Sequence, residues 1–516
     1  MTGPRGFVFL NQSGQLDEIG WDGPQREKLW RYNQHYFDDL NAIDAPARRA
    51  WHTALVEDWV AGNPPGHGIG WEPYPLSLRV VNWIKWSLAG TTLSPAALQS
   101  LAVQVRWLTD RLEIHLLGNH LFANAKALVF AGLFFQGKEA DTWLKKGLRI
   151  LERQVPEQIL PDGGHFERST MYHAIALEDM LDLLNVTTCL ASKLHTHRQS
   201  PITDWRQRIG GMHTWLSAMC HPDDEIGFFN DAALDIAPSV AELDDYTRRL
   251  LPSLRSVPEQ TTVEMPDSGY IRLARGNAVA LLDVAPVGPD YLPGHAHADT
   301  LSFELSVDGH RVLVNSGTSC YGNSAERMRQ RGTAAHNTVV VEGQNSSEVW
   351  SGFRVARRAY PIEKYITQEP GDSPIEVRCA HNGYCHLSGK PVHRRTWRMD
   401  DHHLSIEDFI EGPHGAAEAR FHFHPALRIH IHHNHEEGTA WLPNGTIVTW
   451  YVNHGETRLE PSTWHPRFGS MVANTCLVLT LTESSSKLHF SWPLSTHVNL
   501  TGKFNADIDT QFLLPT

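Results

Sequence analysis

The chain has 516 residues, a formal net charge of −13, 41% hydrophobic residues and 20% charged residues. This length allows about two or three domains with ample buried core. The acidic balance and the lack of a long basic run argue against nucleic acid or acidic membrane surfaces as partners. No apolar stretch approaches the length of a membrane-spanning helix.

Cysteine usage and the N-terminus bear on the compartment. The six cysteines are scattered, and no pair has the close spacing of metal ligands. The N-terminal apolar run covers only residues 7–10, far shorter than the apolar region of a secretory signal. We therefore expect reduced thiols and a cytoplasmic location.

The first half of the chain has the pattern of amphipathic helices, with apolar residues at spacings of three and four. Ser94 followed by Pro95 is a typical helix start, with a capping hydroxyl and a proline in the first turn. No fixed-period repeat is visible. The predicted helices cover residues 26–40, 76–89, 94–112, 120–135, 141–154, 172–194, 204–219 and 239–250.

The pattern changes near residues 252–258, after which short alternating runs rich in β-branched residues follow. Such runs at regular spacing predict an antiparallel β-sandwich. Helices first and strands later indicate an α+β chain with two domains, residues 1–255 and 256–516. The predicted strands cover residues 278–284, 301–307, 311–314, 337–341, 394–399, 404–410, 419–423, 446–452 and 476–481.

The stretch from residue 294 to 299 reads Gly-His-Ala-His-Ala-Asp and precedes a predicted hairpin with Asp-Gly at its turn. If the strand begins at His295, then His295, His297 and Asp299 share one face, because side chains two apart point the same way. Two imidazoles and a carboxylate would then converge. The alternative is a polar strand end with solvated histidines.

Two stretches in the helical half carry further polar groups. After Trp71, in a loop dense in aromatic residues, a predicted helix carries Arg79, whose forked guanidinium suits a carboxylate or sulfate. Asn119 and His120 stand at the start of an apolar helix, where amide donors favour an anion. The alternatives are a core tryptophan for the first stretch and simple helix capping for the second.

A glycine-rich loop at residues 161–164 leads to Glu167, Arg168 and Tyr172, which lie within about two turns of a predicted helix. A phenol near a cation can act in proton transfer, although a tyrosine at such a position also suits a core. Further on, His336 heads an apolar strand and could join His297 as a metal ligand, with Asp299 or Asn315 as the third.

These stretches together resemble the heparinase II/III-like polysaccharide lyases, and they occur in the order found in that family. The resemblance spans most of the chain. It rests on the block from Trp71 to Trp83, on Gly118-Asn119-His120, on the Gly163-Gly164 loop leading to Tyr172, on the segment from Gly294 to Asp299, and on Ala334-Ala335-His336-Asn337-Thr338.

The resemblance implies an N-terminal α/α toroid, a C-terminal antiparallel β-sandwich and an active site in the cleft between them. It also implies cleavage of an anionic uronate polysaccharide by β-elimination. The catalytic positions carry over to Asn119 with His120, to Tyr172 and to His295, with either of the last two as the base. Candidate substrate-binding residues are Trp71, Arg79, Glu167 and Arg168.

Relatives often hold a metal in the sandwich through two histidines and an acidic residue, which correspond here to His297, His336 and Asn315. The amide of Asn315 binds a divalent cation less well than a carboxylate. The resemblance therefore implies a zinc, calcium or manganese site, more structural than catalytic, that is weaker, uses Asp299 or is empty.

Two other functions fit the sequence. A glycoside hydrolase on an α/α toroid needs two carboxylates about 5 to 10 Å apart, for which Glu72, Asp162 and Glu167 are available. A non-catalytic polysaccharide-binding or assembly protein would bind a polymer without cleaving it. For the lyase, we expect action on hyaluronan, chondroitin, heparan or alginate, with the oligomeric state left open.

Overall fold

The computed structural model describes residues 1–191, 200–254, 262–368, 373–433, 435–481 and 485–493. Within these ranges, no helix combines the length and the apolar character needed to cross a membrane. The predicted domain boundary between residues 255 and 256 lies outside the described residues.

The first half is built from paired helices. α4, α6 and α8 pack side by side, and α5, α7 and α9 pack on them, which is the helical-hairpin arrangement of a toroid. α6 is buried on nearly every face. The helices are α1 Leu16–Ile19, α2 Lys28–Gln34, α3 Arg49–Gly62, α4 Pro73–Leu88, α5 Pro95–Thr109, α6 Gly118–Phe134, α7 Lys138–Gln158, α8 Thr170–Cys189, α9 Ser200–Ala218, α10 Val240–Leu250 and, in the second half, α11 Ala325–Arg331.

Most predicted helices are present with small shifts at their ends. The capping role of Ser94 is confirmed, since its side chain accepts a hydrogen bond from the Ala97 N–H at 3.1 Å. The helix predicted over 26–40 ends at Gln34, because Phe37 adopts a left-handed backbone conformation with φ of 64°. The prediction missed α3, and the end of the helix predicted over 172–194 lies outside the described residues.

The second half is antiparallel β-structure, which confirms the predicted fold class of toroid plus sandwich. Its strands, with a short N-terminal pair, are β1 Gly6–Phe9, β2 Gln12–Gln15, β3 Val263–Met265, β4 Tyr270–Arg275, β5 Ala278–Asp283, β6 Phe303–Val307, β7 His310–Leu313, β8 Val339–Val341, β9 Val349–Trp350, β10 Arg354–Val355, β11 Pro361–Thr367, β12 Ile375–His381, β13 Val392–Met399, β14 His403–Glu411, β15 Ala417–His422, β16 Arg428–Ile431, β17 Glu437–Trp441, β18 Ile447–Asn453, β19 Glu456–Trp464, β20 Val472–Thr480 and β21 Ser485–Ser491.

Three sheets enclose the core of this half. β3 to β7 form one sheet in chain order, the second has the order β11-β12-β13-β14-β21-β18-β17-β16, and the third has the order β19-β20-β15-β8. β13 alternates half-buried and buried residues, as a strand with one face on a core should. Phe303, Trp397 and Phe421, one from each sheet, belong to one apolar cluster.

Buried polar contacts join the two halves. Asp162 accepts hydrogen bonds from the backbone and side chain of Ser268 at 2.7 and 2.8 Å. His221 Nε2 lies 2.8 Å from a carboxylate oxygen of Glu304 on β6. Residues 227–234, which we call the crossing segment, leave the helical half and bond to the sandwich, with Leu234 N donating to Pro466 O at 2.7 Å.

Candidate active site

The histidine-rich segment is irregular, so the expectation of a strand beginning at His295 is wrong. β6 begins only at Phe303. The backbone upstream bonds to the crossing segment instead of a neighbouring strand. Asp231 N donates to His295 O at 2.9 Å, and His297 N donates to the side-chain oxygen of Asn230 at 3.0 Å. These bonds fix both histidines over the end of the crossing segment.

One buried carboxylate, Asp231, binds both of these histidines. Its oxygens lie 2.9 Å from His295 Nδ1 and 2.9 Å from His297 Nε2, and the Arg327 guanidinium donates to both oxygens. Burial alone would raise the pKa of Asp231, but Arg327 and the two histidines hold it well below its ordinary value. An ionised Asp231 accepts the Nδ1 proton of His295, which leaves Nε2 as a proton acceptor.

Tyr172 stands at the start of α8 beside His295. The Ser169 side chain caps the helix by accepting from Tyr172 N at 3.1 Å. The ring centroids of Tyr172 and His295 are 3.9 Å apart, and the Tyr172 hydroxyl lies 2.8 Å from the Tyr321 hydroxyl. Burial raises the pKa of Tyr172 well above its ordinary value, and Tyr321 and Asp231 act in the same direction. The phenol is therefore held protonated.

The N-terminus of α6 presents Asn119 and His120. Gly118 has φ of 53°, and a Cβ there would come within 2.7 Å of Leu292 and 3.0 Å of Glu167, so the turn requires glycine. His120 Nδ1 lies 3.0 Å from a Glu113 carboxylate oxygen. Nε2 is therefore the nitrogen that can meet a ligand, next to the free N–H groups of a helix start.

Glu167 lies between these two sets of groups. Its side chain is 2% exposed, and one carboxylate oxygen is 3.7 Å from His295 Nε2. Neither oxygen has a hydrogen bond of normal geometry with the described residues, although the Asn119 backbone favours the charged form. Burial raises the pKa of Glu167, an effect that His295 and His120 only partly oppose. The arrangement favours a neutral carboxylic acid.

Two predicted substrate-binding residues lie in the core of the toroid instead of the cleft. Arg79 is fully buried, and its guanidinium donates to the Gln104 side chain and to backbone oxygens of His35 and Gly70. Trp71 is also buried, with its indole N–H donating to Asn63 O at 3.2 Å. Both residues support the loop that leads into α4.

Arg168 has a similar supporting position. Its Nε donates to Ser268 O at 2.9 Å, and its own carbonyl accepts from the Tyr270 hydroxyl. It therefore links the toroid to the β3–β4 turn. The largest effects on the pKa of Tyr172 come from burial, Tyr321 and Asp231, and all three raise it.

A group able to hold a metal ion lies behind the histidines. His297 Nδ1 is 3.3 Å from His336 Nε2, and ligand atoms of these residues and of Asp299 all lie within 4.8 Å of one another. The Asn315 amide is already bonded, since Nδ2 donates to Phe228 O at 2.9 Å and Oδ1 accepts from a backbone N–H. The residues fit a divalent cation bound through two imidazoles and Asp299.

Four residues of this site were not predicted from the sequence. Asp231 and its neighbour Asn230 are polar residues inside an apolar stretch, a signal that could have singled them out. Tyr321 follows a loop without a motif, and Arg327 occupies an ordinary short helix. Their roles depend on contacts across the fold, which one sequence does not display.

Among known proteins, a heparin-sulfate lyase of Bacteroides stercoris is 24% identical over 424 residues, 72% of this chain and 62% of that protein. Another, from Pedobacter heparinus, is 24% identical and matched over 56% of its length, so this chain spans less than two thirds of either lyase. FtsZ-localized protein C of Caulobacter vibrioides is 26% identical over 483 residues, 86% of this chain and 78% of that protein.

Solved structures show the same fold. A heparinase III structure aligns with a TM-score of 0.71 at 17% identity, over 90% of this chain and 76% of that one. The heparan sulfate lyase HepC of Pedobacter heparinus aligns with a TM-score of 0.63 at 16% identity, over 94% of this chain and 80% of that one. At such identities the likeness concerns the fold alone.

Two family models divide the chain between them. The model for the heparinase II/III N-terminus matches residues 25–252, which contain α3 to α10. The model for the heparinase II/III-like C-terminal region matches residues 258–493, which contain the three sheets of the sandwich. Since both halves match in the expected order, the chain belongs to the heparinase II/III-like family.

Proposed function

We propose that the protein is a polysaccharide lyase that cleaves uronic-acid-containing polysaccharides by β-elimination. The observation that carries this proposal is the contact between Tyr172 and His295, with Glu167 lying between this pair and the N-terminus of α6. Two proton-transfer groups and an anion-binding helix start are what β-elimination next to a carboxylate needs. The names of the lyase relatives favour a glycosaminoglycan as substrate.

The first requirement of the reaction is to neutralise the uronate carboxylate. The C5 proton lies next to this carboxylate, and its removal adds negative charge to a group that is already negative. Asn119 and the α6 N–H groups are suitable donors, and Glu167 as a neutral acid can donate one more hydrogen bond. Preorganised donors of this kind typically contribute a factor of about 10² to 10³ each.

Proton transfer then follows between two side chains. His295 Nε2 takes the C5 proton, the electron pair forms the C4–C5 double bond, and the C4–O bond breaks. The Tyr172 hydroxyl gives its proton to the leaving oxygen. The rings lie 3.9 Å apart, so the proton on His295 can return to the phenolate, directly or through Tyr321. Such proton transfer typically increases the reaction rate by a factor of about 10² to 10⁴.

A metal would have a supporting role. His297, His336 and Asp299 would hold it, and its charge would fix the segment that carries His295. His336→Ala should therefore lower metal content and thermal stability before it lowers the catalytic rate. Metal analysis of the purified protein and its melting temperature, with and without chelator, test this role.

The function is tested with purified protein and a panel of hyaluronan, chondroitin sulfate, heparan sulfate and alginate. β-Elimination leaves an unsaturated uronate at the new non-reducing end, which absorbs in the ultraviolet. We expect a rising absorbance with at least one polymer. New reducing ends without this absorbance would indicate hydrolysis, and folded protein without any cleavage would contradict the proposal.

Hydrolysis is disfavoured by the positions of its candidate carboxylates. Asp162 is bonded to the backbone at Asp267 and Ser268, and Glu72 is bonded to Tyr32 and Lys28. Only Glu167, of the three, lies in the cleft. The pair of carboxylates that a hydrolase needs across the scissile bond is therefore not assembled from these residues.

The match to FtsZ-localized protein C favours a second candidate, a polymer-binding or assembly protein without cleavage. That match covers more of this chain than either lyase match reported above. This function predicts that the protein binds a polysaccharide, that no unsaturated product forms, and that Tyr172→Phe leaves binding unchanged.

A further inference from the structure

We propose that the hairpin of β9 and β10 is a subsite for an anionic sugar unit adjacent to the cleavage point. This inference rests on the proposed function and adds to it the specificity of the site for charged sugars. The hairpin turns at residues 351–353. Its outward side chains are Trp350, Phe353 and Arg354.

The hairpin lies at the rim of the catalytic cleft. The Phe353 ring centroid is 5.8 Å from that of His295 and 5.1 Å from that of Tyr321. A polymer whose scissile unit reaches His295 and Tyr172 therefore continues past Phe353 on one side. The side chains next to Phe353 are then available to the neighbouring sugar.

The hairpin is held in place from below. Buried Arg327 donates from Nε to Gly352 O at 3.1 Å, and buried Arg331 donates to Ser351 O at 2.9 Å. On the inner face, Val349 and Val355 belong to a small apolar cluster with residues of the histidine-rich segment. Because Arg327 also binds Asp231, the turn and the carboxylate behind His295 share one support.

The outward face carries side chains that are accessible to a ligand. Trp350 is 52% exposed and Phe353 is 41% exposed. Arg354 is also exposed, and its guanidinium has no ion-pair partner in the described part of the chain. The register pairs Arg354 with Trp350, so the two side chains stand next to each other on one face.

An aromatic ring beside a guanidinium suits an acidic sugar. The apolar face of a sugar ring packs on the indole, and the planar guanidinium binds a carboxylate or sulfate through two hydrogen bonds. Lysine would offer a point charge without this geometry. The subsite should therefore prefer sulfated or carboxylated units over neutral ones.

Binding is measured by calorimetric titration in the Tyr172→Phe background, which removes turnover. The probes are heparan sulfate and the same polymer after desulfation and N-acetylation. Trp350→Ala and Arg354→Gln should each weaken binding of heparan sulfate by about tenfold or more. Arg354→Gln should have the smaller effect on the desulfated polymer.

The chain offers a matched control. Arg428 and Trp441 form another cross-strand pair on β16 and β17, with the guanidinium 4.5 Å from the indole centroid. Arg428→Gln should leave binding unchanged. Circular dichroism and melting temperature verify folding of each variant, and Trp350→Tyr, which keeps an aromatic ring, should retain most of the affinity.

Equal affinities for the hairpin variants and the Arg428→Gln control would overturn the subsite, as would the absence of binding to both polymers. The lyase function fails separately. If the wild-type protein forms no unsaturated product but Trp350→Ala and Arg354→Gln still reduce binding, the subsite stands and the proposed reaction does not.

Discussion

His295 is the base in the proposed reaction, and Asp231 determines which of its two ring nitrogens can take the proton. A neutral imidazole carries one proton, and its position follows the strongest acceptor. Asp231, ionised beside Arg327, accepts at Nδ1. The Nε2 lone pair therefore stays free, on the side of the ring where a Glu167 carboxylate oxygen lies 3.7 Å away.

Removal of the Tyr172 hydroxyl tests the assignment of the acid. Tyr172→Phe keeps the ring packed against His295 and removes only the proton donor. We expect a folded protein whose rate of unsaturated-product formation falls by about 10² to 10⁴. Initial rates measure the loss of activity, and near-ultraviolet circular dichroism verifies that the variant is folded. A folded variant with wild-type rate would assign Tyr172 to the core alone.

Glu167→Gln tests whether Glu167 works as a neutral acid. Burial raises its pKa in the folded protein, so folding favours the protonated form. Its contribution to stability is therefore most favourable below its pKa in the unfolded state, about 4.3, and is lost as pH rises through its pKa in the folded state. Compared with the wild type at the same pH, the Glu167→Gln variant should therefore be more stable at pH 8 than at pH 4.5. Its activity should also lack the alkaline decrease caused by ionisation of Glu167.

Melting temperatures and initial rates across pH measure both effects. Glu139→Gln is the control, because the pKa of the exposed Glu139 carboxyl is lowered by a hydrogen bond from Arg106. Glu139→Gln should show no gain in stability or activity over the wild type at high pH. A Glu167→Gln variant inactive at every pH would mean that the carboxylate, not the acid, is the working form.

Within the toroid, α6 and α8 are joined by a buried ion cluster. Lys126 Nζ lies 2.7 Å from oxygens of both Asp179 and Asp182. Burial lowers the pKa of Lys126, but the two carboxylates raise it above its ordinary value. The cluster sits in the interior of an otherwise apolar helix pair, so its charges depend on each other.

Lys126→Met should therefore destabilise the toroid strongly. It leaves two buried carboxylates without their main partner, a change that typically costs about 3 to 5 kcal/mol. Urea denaturation followed by circular dichroism measures the loss. Lys85→Met is the control, since Lys85 is partly exposed and bonds Asp182 at 3.0 Å from the edge of the cluster. Equal losses for the two variants would contradict the argument.

Sequence periodicity predicted most elements but not all of them. α3 was missed because His52 occupies its buried face and interrupts the apolar stripe, with its Nε2 2.7 Å from an Asp39 carboxylate oxygen. The strand predicted over 301–307 is present as β6, whereas its possible extension back to His295, suggested by the alternation of His, Ala and Asp, is not formed. There the backbone bonds to Asn230 and Asp231, which a local pattern cannot reveal.

At the scale of the whole molecule, the order of helices and strands was enough to predict a helical domain followed by a sandwich, and the family resemblance added the toroid. The resemblance also assigned Tyr172 and His295 to one site, and the ring centroids of these two residues lie 3.9 Å apart. The sequence could not show what Asp231 binds, because its partners lie more than 60 residues away along the chain. Nor could it show that Arg79 and Trp71 serve the core, since arginines and tryptophans suit both settings.

The contacts between the halves predict that they unfold together. Asp162 accepts two backbone N–H groups and one hydroxyl at Asp267 and Ser268. Asp162→Ala should remove at least about 1.5 to 3 kcal/mol, the contribution of a hydrogen bond to a charged group. Calorimetry should show one transition for the wild type and one, at lower temperature, for the variant. Two transitions, only one of them shifted, would mean independent halves.

The crossing segment has a consequence for how such a chain can be recombined. It precedes the change in composition near residue 252, yet its Asp231 bonds His295 and His297. A chimera joined at residue 252 would take the carboxylate from one parent and its imidazoles from another. A junction before residue 227 would keep them together. In such exchanges, His295 and His297 therefore belong with the sandwich together with the crossing segment.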